Sequence, residues 1–249
     1  MINFQKITNF SPMSRSIAVE LCASSVESLS IAAKYDVTRI ELCQDLDQGG
    51  LTPSPGLFQF AKDLQLETHV LIRPRAGGFS YTLEEKKVML DDMKFFKENG
   101  AAGITIGALK ENFELDLEFL TRVKEQAGNL HLTFHRAVDE SIEWRRSLEE
   151  LIALNFHRVL TSGFSSNVDN GFHILQQMIA WSNSRIEIMP GGGVNTNNVQ
   201  RLIQDAKVSS IHFSGTSKVL LDEESAFSET ILRVEEKKVK RLLDKIKEL

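Results

Sequence analysis

Along this chain the spacing of hydrophobic and polar positions switches repeatedly between two periods. Short stretches alternate at period two, and each is followed, after a turn, by a longer stretch at helical period. The alternation predicts strands near 17–22, 38–43, 68–73, 103–107, 130–135, 157–162, 185–190 and 208–214. Helices are predicted near 25–35, 54–65, 82–98, 114–127, 142–154, 169–182, 196–206 and 233–248. Ser24, Thr82 with Glu85 three residues on, and Asn195 stand where N-caps belong. Eight strand–helix pairs in 249 residues fit a single (β/α)8 TIM barrel with parallel strands better than a doubly wound sheet. Residues 1–15 read as a polar leader and 16–249 as one barrel domain, with no linker or low-complexity tract dividing it.

Parity within each strand carries the reading further. Residues of a barrel strand point alternately to the helices and to the lumen, and the helix-facing set must be apolar. Val19 and Leu21 therefore face outward, which turns Glu20 and Cys22 inward. Ile40 and Leu42 likewise leave Arg39, Glu41 and Cys43 inside. The same rule sends His69, Leu71 and Arg73 inward on the third strand, and His131, Thr133 and His135 on the fifth. Glu187 and Met189 follow on the seventh, and Ser210, His212 and Ser214 on the eighth. The fourth and sixth strands are less decisive, although outward Ile104 and Ile106 would leave Thr105 inside.

A lumen is usually filled by branched apolar side chains. This one is expected to hold three glutamates, two arginines, four histidines and both cysteines. Unpaired, each charge would cost several kcal/mol, so Glu20, Glu41, Glu187, Arg39 and Arg73 are expected to form a paired network.

Composition narrows the partners. A net charge of -5 without a basic tract argues against nucleic acid or an anionic membrane as the main partner. No apolar run approaches the roughly 20 residues needed to span a bilayer, and the N-terminus lacks a signal pattern. Two cysteines without framework spacing fit a reducing compartment, so a cytoplasmic location is expected. The C-terminal VEEKKVKRLLDKIKEL interleaves glutamates with lysines and reads as a solvated helix face.

The candidate chemistry gathers at the C-terminal strand ends, the working face of such barrels. Cys22 and Cys43 sit on adjacent strands about 4.8 Å apart, close enough for two soft thiolates to share one ion. With no third fixed donor they suit Cu(I) better than tetrahedral zinc. The alternative is that both are simply small buried residues. Arg73 in VLIRPRAGGFSYT could hold a carboxylate or phosphate, or could pair with Glu20 or Glu41. His135 in LTFHRAVDE is a candidate acid–base group, with Arg136 and Asp139 on the loop after it. Gly192 and Gly193 in IMPGGGVN, with Ser214, Gly215 and Thr216 in IHFSGTS, stand where phosphate-binding barrels hold their anion.

These motifs together resemble the CutC family of copper homeostasis proteins. The resemblance rests on IAVELCAS, RIELCQDLDQGGLTPSPG, VLIRPRAGGFSY, LTFHRAVDE, RVLTSG, IMPGGGV and IHFSGT, in family order from about residue 17 to 216. It implies a (β/α)8 barrel, a cytoplasmic location, copper binding in at least some members and homo-oligomers, a dimer being the expected form. Cys22 and Cys43 would be the Cu(I) ligands, and no organic cofactor is expected. One position departs from the family, which commonly carries aspartate where this chain has Gly78. The rival reading is a barrel enzyme acting on a small anionic or phosphorylated metabolite. There Glu20, Glu41, Arg73 and His135 would be the working groups.

Overall fold

The computed structural model describes residues 17–221 and 230–249. The predicted leader, 1–15, lies outside the described residues. The strands are β1 Ala18–Ala23, β2 Arg39–Leu42, β3 Thr68–Ile72, β4 Gly103–Ile106, β5 His131–Phe134, β6 Arg158–Thr161, β7 Glu187–Pro190 and β8 Ser210–Phe213. Between and after them run α1 Val26–Lys34, α2 Pro55–Asp63, α3 Leu83–Glu98, α4 Leu117–Ala127, α5 Trp144–Ala153, α6 Phe172–Ser182, α7 Val199–Gln204 and α8 Glu236–Lys247. All eight strands are parallel and neighbour one another in the order β7-β6-β5-β4-β3-β2-β1-β8, giving the expected (β/α)8 barrel.

The outward apolar set makes the core. Leu21, Ile40, Leu42, Val70, Ile72, Ile104, Ile106, Leu132, Phe134 and Ile211 are fully buried between strands and helices. Full burial of such a side chain contributes about 1.5–3 kcal/mol, so the pattern that predicts the strands also supplies the main stabilising force. Among the described residues no helix is long and apolar enough to cross a membrane.

Three details differ from expectation. The α1 cap is Ser25, not Ser24; its hydroxyl accepts from Ser28 N, whose own hydroxyl accepts from Ser25 N. Asn195 does not cap α7: it holds the preceding turn, and the helix starts only after Asn198. The Thr82–Glu85 capping box is present as predicted. Ahead of α8, β9 Thr216–Leu220 and β10 Thr230–Val234 pair as an antiparallel hairpin that the periodicity does not announce.

The barrel circle is closed unevenly. Seven neighbouring pairs have backbone ladders, but β7 and β8 are the two ends of the sheet order. There the carboxylate of Glu187 accepts from the hydroxyls of Ser209 at 3.2 Å and Ser210 at 2.5 Å.

Candidate functional site

Ladder register sets the level of every lumen residue. Glu20 lies opposite Arg39 and His212, while Cys22 lies opposite Glu41. The two Glu-Leu-Cys motifs are therefore staggered, and Cys43 sits one inward-facing layer above Cys22. Their sulfurs still meet, at 3.7 Å, and both thiols are free and buried.

Beneath them lies the expected charge network, with one member exchanged. Arg39 Nε donates to Glu20 at 2.6 Å and Arg158 Nε to Glu187 at 2.7 Å, with Arg158 Nη1 also 3.6 Å from Glu20. His212 Nδ1 lies 2.8 Å from Glu20, and its Nε2 lies 3.7 Å from Glu41. Arg73 takes no part: its guanidinium donates to the backbone carbonyls of Gln48, Gly50 and Gly77. Arg158 fills the role expected of it. Adjacent apolar Val159 and Leu160 leave the inward parity of β6 ambiguous in the sequence.

The electrostatics follow from this packing. Burial alone would raise the Glu20 carboxyl, but its bond to His212, with the charges of His212, Arg39 and Arg158, holds it well below the usual carboxylate range. Burial opposes a charged His212, yet Glu41, Cys22 and Glu20 together hold it well above its ordinary value. Glu41 is raised, first by burial and then by the nearby Glu20 charge. The Cys22 thiol is pushed well up by its bond to Cys43 and by burial, so Cys22 rests in the thiol form.

Ligand atoms of Cys22, Glu41 and His212 all lie within 4.8 Å of one another, a geometry that could hold a metal ion. Glu41 and His212 stand beside the two thiols as further donors, His212 only on giving up the proton its neighbours hold there, an arrangement that spacing along the chain could not show.

Above the thiols opens a cavity of ≈ 1050 Å³ at the C-terminal mouth. Cys22, Glu41, Arg73 and His135 line it, as do all five residues of the expected anion site, Gly192, Gly193, Ser214, Gly215 and Thr216. Glu20 and Cys43 lie behind this lining. Gly107 makes space for His135: a Cβ there would come within 2.5 Å of the imidazole. Gly192, at φ +93°, lets its loop pass close to the Arg136 guanidinium. Lys238 and Arg241 of α8 also line the mouth, so the helix read as a solvated face turns part of that face to the site. Gly78 is exposed, and a Cβ there would meet nothing within 4 Å. Its neighbour Phe79 reaches the cavity, as does Arg73 at the start of the same loop.

Asp139 holds the mouth in shape. Its carboxylate accepts from Ser162 N at 3.0 Å, Phe164 N at 3.1 Å, Ser162 Oγ at 2.9 Å and Arg136 Nε at 3.0 Å, and also from Thr161 Oγ1. This ties the loop after β5 to the loop after β6. Asp139→Asn turns an amide donor toward these donors and should lower stability by about 1–3 kcal/mol. Urea unfolding would measure it, and an unchanged midpoint would remove Asp139 from this role.

The CutC family profile matches residues 17–217. The chain belongs to the CutC family. A CutC family protein of Glaesserella parasuis is 39% identical over 207 residues, covering 82% of this chain and 85% of that protein. The human copper homeostasis protein cutC homolog is 39% identical over 200 residues, covering 80% of this chain and 73% of the human protein. Among solved structures, the CutC protein of Streptococcus agalactiae superposes with a TM-score of 0.75 at 32% identity, covering 80% of this chain and 98% of that one. Membership of the CutC family, expected from the motifs, is thus established across all eight strands of the barrel.

Proposed function

We propose that this CutC family protein handles copper, binding Cu(I) through Cys22 and Cys43 at the floor of the barrel mouth. The observation that carries the reading is the 3.7 Å contact between two free, buried thiols beside a buried carboxylate and imidazole. Thiolates are soft donors suited to Cu(I), and the human and mouse relatives carry copper homeostasis in their names. Free thiols fit the reducing cytoplasm in which we place the protein. Because Cys22 rests as a thiol, the metal must displace its proton, so apparent affinity rises with pH.

Competition of the reduced protein against a Cu(I) chelator tests the proposal. Cys22→Ser/Cys43→Ser should lower affinity by more than the roughly 10–100-fold that changes around a metal's ligands cause. Glu41→Gln should have a smaller effect. Equal affinity in the wild type and a folded double-serine variant would remove the two-thiolate site.

A further inference from the structure

The cavity is much larger than a metal ion requires. At ≈ 1050 Å³ it lies just above the roughly 300–1,000 Å³ typical of small-molecule pockets. Among the described residues, three buried polar atoms of its lining have no hydrogen-bond partner: Glu41 Oε1, Arg73 Nε and His135 Nε2. Buried polar groups are nearly always paired, so three such atoms around one cavity call for a ligand.

Two of the three are donors by construction. His135 Nδ1 accepts from Ala137 N at 3.1 Å, so that nitrogen carries no proton. The neutral ring must then hold its hydrogen on Nε2. Burial and the neighbouring Arg73 charge keep the ring neutral, pushing His135 down to about 3. Arg73 spends its two terminal nitrogens on three backbone carbonyls, which locks the fork and leaves Nε–H over. The Phe79 ring contacts both groups, 5.2 Å from the Arg73 guanidinium carbon and 5.0 Å between its centre and that of His135. Two rigid donors and an aromatic face therefore share one wall, and Lys238 and Arg241 add positive charge at the entrance.

We propose that this cavity binds a small organic acid whose oxyanion, carboxylate or phosphate, accepts hydrogen bonds from Arg73 Nε–H and His135 Nε2–H while its carbon portion packs on Phe79. The site goes beyond copper handling and does not rest on it, since neither donor touches the thiol pair.

Calorimetric titration of the reduced, metal-free protein with malonate and, separately, inorganic phosphate tests this. Saturable binding of either is expected, and the stronger of the two identifies the oxyanion class. His135→Asn keeps an acceptor for the Ala137 amide but cannot reach the position of Nε2, and should weaken binding about tenfold, the equivalent of one hydrogen bond to an anion. Lys238→Ala/Arg241→Ala, at exposed positions of α8, should weaken it severalfold and decides the matter should His135→Asn not fold. The anion titration is run without metal and the chelator competition without anion, so either reading can fail while the other stands. No binding of either anion would overturn the proposal. So would equal affinity in the wild type and both folded variants.

Discussion

Glu20→Ala should lower the free energy of unfolding by about 3–5 kcal/mol, the usual cost of removing one partner from a buried ion pair. Glu20 is only 1% exposed and is the anion shared by Arg39, Arg158 and His212. Alanine would leave these groups in the lumen with Glu187 as the remaining anion of the layer, engaged by Arg158 and by Ser209 and Ser210. Glu20→Gln preserves the volume but not the charge, and should lie between wild type and alanine. Urea unfolding reads the difference as a lower midpoint at unchanged slope. A loss below about 1 kcal/mol, the range of a surface pair, would mean that the network does not hold the barrel together.

Acid should unfold the protein earlier than its carboxylates alone would dictate. His69 is pushed down to about 4 and His131 to about 2, both chiefly by burial, and His135 to about 3 by burial and Arg73. In the unfolded chain these rings take up protons below about pH 6.5. Between that pH and their folded values the unfolded state binds more protons, so stability falls as pH falls. Each pH unit crossed in that window costs about 1.4 kcal/mol per ring, so His69 alone removes roughly 3 kcal/mol by about pH 4. Glu20, depressed when folded, acts in the same direction: its contribution is complete above its unfolded value of 4.5 and is lost as pH falls toward the folded one. His212 has the opposite sign, contributing fully below about 6.5 and losing that contribution as pH rises through its elevated folded value. Stability should therefore peak between these limits. Urea midpoints at pH 5 and pH 7 measure the acid side, and His69→Gln should flatten the difference. An unflattened profile in that variant would exclude His69 as a source.

Most of the barrel is legible in the chain because its outward face is strictly apolar. Val19 and Leu21, or Ile40 and Leu42, leave no doubt which way Glu20, Cys22, Glu41 and Cys43 point. In β6 the apolar Val159 and Leu160 fall on opposite parities with polar residues on both, so parity is silent there and Arg158 escapes notice. Parity gives the direction of Arg73 but not its company, because its partners are carbonyls of Gln48, Gly50 and Gly77. Backbone acceptors carry no signature in side-chain spacing. The stagger of the two Glu-Leu-Cys motifs belongs to the ladder register, which follows from barrel shear rather than from either motif alone. The approach of Lys238 and Arg241 to the mouth depends on how the β9–β10 hairpin leads into α8, and a solvated-face pattern does not reveal what such a face overlooks.

The seam between β7 and β8 gives the barrel an uneven hoop stiffness. Around the rest of the circle, parting two strands means breaking several backbone rungs together. At this join the links between strands are hydroxyl–carboxylate bonds through Glu187 near the opposite end of the strands. The ring is mechanically a split collar, fastened at the bottom. Its compliance is greatest at the top, between the loop of Gly192 and Gly193 and the turn of Ser214 to Thr216, two stretches that both line the cavity.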